Sequence, residues 1–267
     1  MIICRTPFRV SFFGGGSDYP AWYRENGGTV LATTIDKYCY LTCRYLPPFF
    51  EHRIRLIYRQ IEMCNSIEEI CHPVIREVMA YLKIDRGIEL HHDGDLPARS
   101  GMGSSSAFTV GLLHILHALK GKMVTKKQLA SESIYVEQEL LRETVGSQDQ
   151  VMAAYGGLRQ VKFLPNGEIS VNPVILPAER IREFQAYLML FYTGIARTAS
   201  SVAKSYVEDI GLRRQQLRLM GEYVEKSLEI LGTHAAIEQI GHMLHNAWQV
   251  KRSLSSHVSN PQIDALY

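Results

Sequence analysis

Apolar and polar positions alternate loosely from Ile2 to Phe13 in a run rich in β-branched and aromatic residues, which predicts a strand interrupted at Pro7. It stops at Gly14-Gly15-Gly16-Ser17-Asp18-Tyr19-Pro20. The stretch from Gly28 to Tyr45 predicts two further strands, and Arg53 to Tyr58 a short one. Helical spacing then takes over: Ile67, Ile70, Val74, Ile75, Val78, Met79 and Leu82 share one face, with Pro73 as a kink or start. A strand from Gly87 to His91 leads into the loop Asp93 to Gly103, and an apolar helix follows from Ser104 to Leu119, closed by Gly121. A second helix spans Lys126 to Leu141 after Thr125 as N-cap, and a third starts near Ser147. Strands are expected at Leu158–Phe163, Ile169–Val174 and Ala186–Tyr192, with Pro165-Asn166-Gly167 turning between the first two. From Ala196 onward the pattern is helical. Strands precede helices in each half, which predicts an α+β architecture with a boundary between Phe163 and Glu183.

Composition narrows the function classes. The 267 residues are 46% hydrophobic and 21% charged, enough for an enzyme-sized core. Lys plus Arg is 29 against 27 for Asp plus Glu, a net charge of +2 that makes no electrostatic case for nucleic acid or an anionic membrane. No apolar run approaches the ~20 residues of a bilayer span, and Met1-Ile2-Ile3-Cys4-Arg5 lacks a signal-peptide core, so a cytoplasmic protein is expected. Five cysteines without a C-x-x-C pair predict buried reduced thiols rather than zinc ligands or disulfides.

Three loops carry candidate chemistry. In the loop before Ser104, Gly101-Met102-Gly103 permits close backbone approach, and Ser104-Ser105-Ser106 adds hydroxyls at a helix start whose N–H groups favour an anion. That suits a phosphate cradle; the composition equally suits a plain glycine-rich turn with serine caps. It is not a Walker loop, since no Gly-x-x-x-x-Gly-Lys-[Ser/Thr] occurs in the chain, and not a dinucleotide fingerprint, because the third glycine position is Ser106. The opening loop sets Arg9 and Asp18 around Gly14-Gly15-Gly16, though charges flank many ordinary turns. Glu137 and Asp149 sit on successive helices, an arrangement that can aim one carboxylate at a metal and one at a proton; most carboxylates, however, are simply solvated. The His91/His92, His114/His117 and His242/His245 pairs lack a carboxylate partner in sequence and are expected to be packing or surface residues.

Taken in order, these segments resemble the GHMP kinase superfamily of small-molecule kinases. The match rests on Pro7-Phe8-Arg9-Val10 with Gly14 to Tyr19, on Leu96-Pro97-Ala98-Arg99-Ser100-Gly101-Met102-Gly103-Ser104-Ser105-Ser106-Ala107, and on Gly146-Ser147-Gln148-Asp149-Gln150 leading into Tyr155-Gly156-Gly157. Gln148-Asp149-Gln150, Tyr192-Thr193-Gly194-x-x-Arg197 and Trp248-x-x-Lys251-Arg252 look most like the sugar-kinase branch that contains heptose 7-phosphate kinase and fucokinase.

The resemblance implies a two-lobed α+β fold: a ribosomal protein S5 domain 2-like ATP-binding lobe over 1–170 and a ferredoxin-like lobe over 171–267. It implies ATP and Mg²⁺ as cofactors and a sugar or sugar phosphate as substrate, most like D-glycero-D-manno-heptose 7-phosphate going to the 1,7-bisphosphate for surface polysaccharide. By similarity, Pro97, Arg99, Ser100, Gly101, Met102, Gly103, Ser104, Ser105 and Ser106 would wrap the ATP phosphates, with Ser104 or Ser105 and Glu137 toward Mg²⁺. Asp149 would accept the proton of the attacking hydroxyl, and Arg9 beside it would help hold the γ-phosphoryl charge. Asp18, with Gly15, Gly16 and Ser17, would bind the sugar, and Arg197 and Lys251 are the cations expected at a substrate phosphate. The oligomeric state is left open, a homodimer being one option. The family's third glycine-rich motif is not found before Tyr267, so the second lobe is expected to be incomplete. Two alternatives follow: a kinase of an unphosphorylated sugar, like fucokinase or galactokinase, and a catalytically inactive ligand-binding relative.

Overall fold

The run Ile2–Phe13 forms one strand, β1, in the computed structural model, which describes residues 1–98, 100–195, 203, 205, 207 and 209–267. Pro7 does not interrupt it, because β1 has one described sheet partner, β2 (Gly28–Tyr45), and a strand paired on one side can spare an N–H. Helix α1 (Pro20–Asn26) lies between them. The expected break inside Gly28–Tyr45 is also absent: no turn residue interrupts it, and exposed Asp36 and Lys37 remain in extended chain. Instead β2 changes partner along its length. Residues Gly28 to Thr33 pair with β6 (Leu158–Phe163), and Cys39 to Tyr45 pair with β5 (Ile88–Gly94), both antiparallel.

Two compact units interleave along the chain. One comprises Met1–Arg9, Thr34–Glu143 and Asp149–Gly156; the other comprises Val10–Thr33, Thr144–Gln148 and Gly157–Tyr267. A division into family domains at 1–170 and 171–267 remains our proposal for how the domains follow one another in sequence.

In the first unit β3 (Ile54–Ile57) runs parallel to β5 and antiparallel to β4 (Ile61–Cys64). Strand β4 is not apparent in the sequence because Glu62 sits on its inward face. Its carboxylate is satisfied there by the Tyr58 hydroxyl at 2.5 Å and the Cys71 and His72 N–H groups at 2.6 and 3.1 Å. Helix α2 (Pro73–Tyr81) starts at its proline, with His72 as N-cap. Helix α3 (Ser104–Leu119) is buried on nearly every side, and its Leu112, Leu113 and Leu116 pack with Leu56, Leu90 and Met79 in the core. Helix α4 (Lys126–Tyr135) passes into a π-helical turn, Val136–Leu140, within the segment expected to be one α-helix. Helix α5 (Gln148–Tyr155) follows.

In the second unit β6 pairs with β7 (Ile169–Pro173). Its helices are α6 (Ala178–Ala186), then α7 (Arg214–Gly232) after a 3₁₀ turn at Ile210–Arg213, α8 (Glu238–Arg252) and α9 (Pro261–Leu266). Phe13, Leu31, Phe184, Met220, Val224 and Ile240 form its core. The α+β class is as expected. The strand expected at Ala186–Tyr192 is not found: α6 ends at Ala186, and the residues after it are exposed, Phe191 at 76%. β-propensity produces a strand only where a neighbour satisfies the backbone, and no described strand pairs with this segment. Four of the five cysteines are buried free thiols and Cys71 is exposed; burial pushes Cys39 and Cys43 up to about 12, so both stay protonated.

Because Met189 and Phe191 are exposed, replacing either by Ser is expected to change unfolding free energy by less than about 0.5 kcal/mol in urea titration. Leu90→Ala, by contrast, should cost about 2–5 kcal/mol. A loss above about 2 kcal/mol for Phe191→Ser would put that segment in a core.

Candidate active site

The loop between β5 and α3 ends in two left-handed glycines, Gly101 at φ 78° and Gly103 at φ 72°. Gly103 is the N-cap of α3, where a side chain would be strained and would crowd Arg9 Cγ at 3.2 Å. The first turn, Ser104 to Ser106, therefore follows the loop directly at the positive end of a 16-residue helix dipole. Ser100 adds a buried hydroxyl with no hydrogen-bond partner. Together these groups can take an anion, and nothing acidic lies in the first turn to repel it.

Arg9, at the end of the β1 segment in this unit, ties the loop to α5. Its Nε donates to Asp149 Oδ1 at 2.8 Å and its Nη2 to Asp149 Oδ2 at 2.6 Å, while Nη1 donates to Gly101 O at 2.8 Å. Its backbone N–H donates to Met102 O at 3.1 Å. The pair is partly open, with side-chain exposures of 14% and 18%, so both charges can meet a ligand while held by a bidentate bond.

Glu137 is 1% exposed and lies in the π-turn, whose wider winding puts Val136 and Glu137 both inward. Its Oε2 accepts from Ser106 Oγ at 2.9 Å and from Gln150 Nε2 at 2.5 Å, whereas Oε1 accepts no hydrogen bond. Burial pushes its carboxyl up to about 7, against the pull of the Thr109, Ser106 and Gln150 groups. A buried carboxylate oxygen with no donor, beside a serine hydroxyl, fits a hard cation. Among the described residues no group of three or more His, Cys, Asp or Glu side chains forms a metal cage. One carboxylate with hydroxyls is instead the donor set that Mg²⁺ takes together with substrate phosphates.

In the second unit the opening glycine loop is drawn in by Asp18, which is 2% exposed. Its Oδ1 accepts from Gly16 N–H at 3.0 Å and its Oδ2 from Gln148 N–H at 3.2 Å, and its carbonyl accepts from Ser147 N–H at 3.0 Å. Gly146 is required there, since a Cβ would lie 1.9 Å from Asp18 Oδ2. Ser17 is buried too, its Oγ 2.8 Å from Gly14 O and accepting from Thr29 N–H at 3.1 Å. Gly15 has an ordinary φ, and three polar groups stand at contact distance from it. Lys251 Nζ, Ser11 Oγ and Gln148 Nε2 stand 3.5, 3.6 and 3.7 Å from where its Cβ would be.

Thus Arg9 and Asp149 are brought together with the cradle residues Gly101 to Gly103, and Glu137 with Ser106 rather than with Ser104. Asp18 and Ser17 are spent on building their loop. Lys251 faces Gly15. Arg99 and Arg197 lie outside the described residues. The residues not expected are Ser11, Gln148 and Gln150; the two glutamines flank Asp149, and that flanking was the one signal for them. A cavity of ≈ 230 Å³ lined by Arg53, Asn65, Asp85 and Arg86 opens at the other end of β3 and β5 and takes no part.

A glycine-rich helix start, an arginine-held aspartate and a buried carboxylate with one unbonded oxygen are of the kinds that phosphoryl transfer uses. Residues 65–157 match the GHMP kinases N terminal domain. The chain is 24% identical over 277 residues to the D-glycero-alpha-D-manno-heptose 7-phosphate kinase of Campylobacter jejuni, covering 98% of this chain and 80% of the relative. It is 28% identical over 307 residues to the L-fucokinase/L-fucose-1-P guanylyltransferase of Bacteroides fragilis, covering 98% of this chain but 31% of that protein. The fold matches the crystal structure of a D-glycero-D-manno-heptose 1-phosphate kinase from Bacteroides thetaiotaomicron at TM-score 0.80 and 20% identity, over 95% of this chain and 80% of that one. Among the described residues no helix is long and apolar enough to cross a membrane.

Glu137 sets a pH dependence for the metal-free protein. Its folded pKa of about 7 exceeds its ordinary 4.5, so between these values the folded state keeps a proton that the unfolded state releases. Stability in EDTA should therefore fall as pH rises from about 5 to 8, by at most about 3 kcal/mol. Urea midpoints of Glu137→Gln should lack that component; parallel curves for the two proteins would refute it.

Proposed function

We propose that this chain transfers the γ-phosphoryl group of ATP to a hydroxyl of a phosphorylated sugar, with D-glycero-D-manno-heptose 7-phosphate as the substrate and the 1,7-bisphosphate as product. The observation that carries this reading is the bidentate Arg9–Asp149 pair bonded to the glycine loop, which sets a proton acceptor and a cation beside the phosphate cradle. In this reading the N–H groups from Gly101 to Ser106, with Pro97, Arg99 and Ser100 in the same loop, hold the ATP phosphates. Asp149 takes the proton of the sugar hydroxyl as its oxygen bonds to phosphorus and the bond to ADP breaks. Arg9 orients that carboxylate and meets charge on the transferring group. Glu137, bonded to the Ser106 hydroxyl, would hold Mg²⁺, with Ser104 as the further hydroxyl that the family resemblance implies. The ion would supply positive charge against the ATP phosphates.

The sugar phosphate is assigned to the donors around Gly15. An ammonium, a hydroxyl and an amide N–H₂ converge there, a donor set that suits an oxygen-rich anionic group. Gly16, Ser17 and Asp18 act by shaping the loop, and Arg197 stays a second candidate cation. An ATP-dependent step on a sugar phosphate that feeds activated-heptose and surface-polysaccharide synthesis belongs in the cytoplasm. The similarity to an L-fucokinase keeps a kinase of an unphosphorylated sugar as the second reading.

ADP release with heptose 7-phosphate, heptose, fucose and galactose separates the two, and turnover of the free sugars alone would select the second. Asp149→Asn is expected to leave ATP binding near normal and to lower kcat by about a hundredfold or more; unchanged kcat would remove Asp149 from the chemistry. Lys251→Ala should raise KM for the sugar phosphate about tenfold while KM for ATP holds, since losing one charge-assisted bond costs about 1.5–3 kcal/mol. Equal KM values for the sugar phosphate in variant and parent would place the phosphate elsewhere.

A further inference from the structure

We infer that Gln150 is a positioning residue for the metal: it orients the Glu137 carboxylate so that Oε1 alone remains open to the cation. The inference rests on the reading that Glu137 holds Mg²⁺ and goes beyond it, because Gln150 would act through Glu137 without touching the ion.

The geometry is specific. Gln150 is fully buried, and its Nε2 donates to Glu137 Oε2 at 2.5 Å. The Ser106 hydroxyl donates to that same oxygen at 2.9 Å. These two donors both fall on one carboxylate oxygen and the other is left buried with no hydrogen bond, while the nearby Thr109 hydroxyl, which also draws the carboxyl's pKa down, donates to Ser105 O at 3.1 Å. A carboxylate in an apolar site that needed only solvation would spread its donors over both oxygens, since each unsatisfied buried acceptor carries a desolvation cost. Concentrating them on Oε2 fixes the plane of the carboxylate and leaves Oε1 as its one vacant acceptor. Glu137 also sits in a π-turn, where its backbone alone does not dictate the rotamer, so an outer hydrogen bond is the means to hold it. Gln150 is well placed for this task because its neighbour Asp149 is pinned by Arg9. One turn of α5 therefore holds the proton acceptor directly and the metal carboxylate indirectly. Amide rather than acid chemistry is required at 150: a second carboxylate 2.5 Å from Oε2 would repel it, whereas the N–H₂ group donates.

The test uses the full chain with a non-hydrolysable ATP analogue and Mn²⁺ as the probe, reading free Mn²⁺ by electron paramagnetic resonance. Gln150→Met, close in volume and without a donor, is expected to weaken Mn²⁺ binding in the analogue complex by about tenfold or more, the scale of losing an outer-shell partner of a metal ligand. Binding of the analogue in EDTA should stay within about twofold, and saturating Mg²⁺ should restore much of kcat, neither of which a general packing defect would produce. If Gln150→Met does not fold, Gln150→Asn keeps the amide but withdraws it by one methylene, and the same loss is expected. Glu137→Gln separates the two levels of the argument. Parent-like Mn²⁺ affinity in Glu137→Gln would overturn the metal assignment itself. Loss in Glu137→Gln with parent-like affinity in the Gln150 variants would overturn only the role of Gln150.

Discussion

The bidentate bond between Arg9 and Asp149 is the interaction on which the candidate site depends. It joins three stretches far apart in sequence: β1, the glycine loop before α3, and the first turn of α5. An ion pair this far out of water gains little net stability over an apolar replacement, yet removing one partner strands the other charge at a cost of several kcal/mol. The pair is better understood as a geometric device. Its planar fork fixes the aspartate's orientation, and its third nitrogen holds the loop carbonyl at Gly101, so carboxylate and glycine loop are set by one side chain.

Burial divides labour between the two carboxylates of the first unit. Asp149 is partly exposed and held by a cation; Glu137 is enclosed, with its pKa pushed up to about 7 by desolvation and with neutral donors as partners. The first can exchange a proton with a ligand. The second meets charge only when something positive enters, which is the behaviour expected of a ligand to a hard cation.

Asp18 plays a comparable part in the second unit. Its carboxylate and carbonyl collect the N–H groups of Gly16, Ser147 and Gln148, converting a glycine-rich stretch into a defined loop. The amide side chain of Gln148 then stands with Ser11 and Lys251 around Gly15. A charged residue in a short motif thus serves the loop's shape.

Much was readable before any coordinates. The bounds of α3 and the strand Leu158–Phe163 appear where expected, and Arg9 lies beside Asp149 as the family resemblance implies. The elements among these depend on local backbone preferences: glycine at positive φ, a capped helix start, alternation between turns. What tertiary structure decided was partner choice. Strand β2 is continuous because β6 and β5 pair with its two halves, and Ala186–Tyr192 is no strand because no described strand lies beside it. Three serines in a row look equivalent in sequence, yet Ser106 reaches Glu137, and the amide of Gln150 joins it only because a π-turn carries that carboxylate inward. Local conformation is set by neighbours along the chain, whereas a hydrogen-bond partner is set by whichever distant group arrives at 3 Å, and only the folded chain determines that.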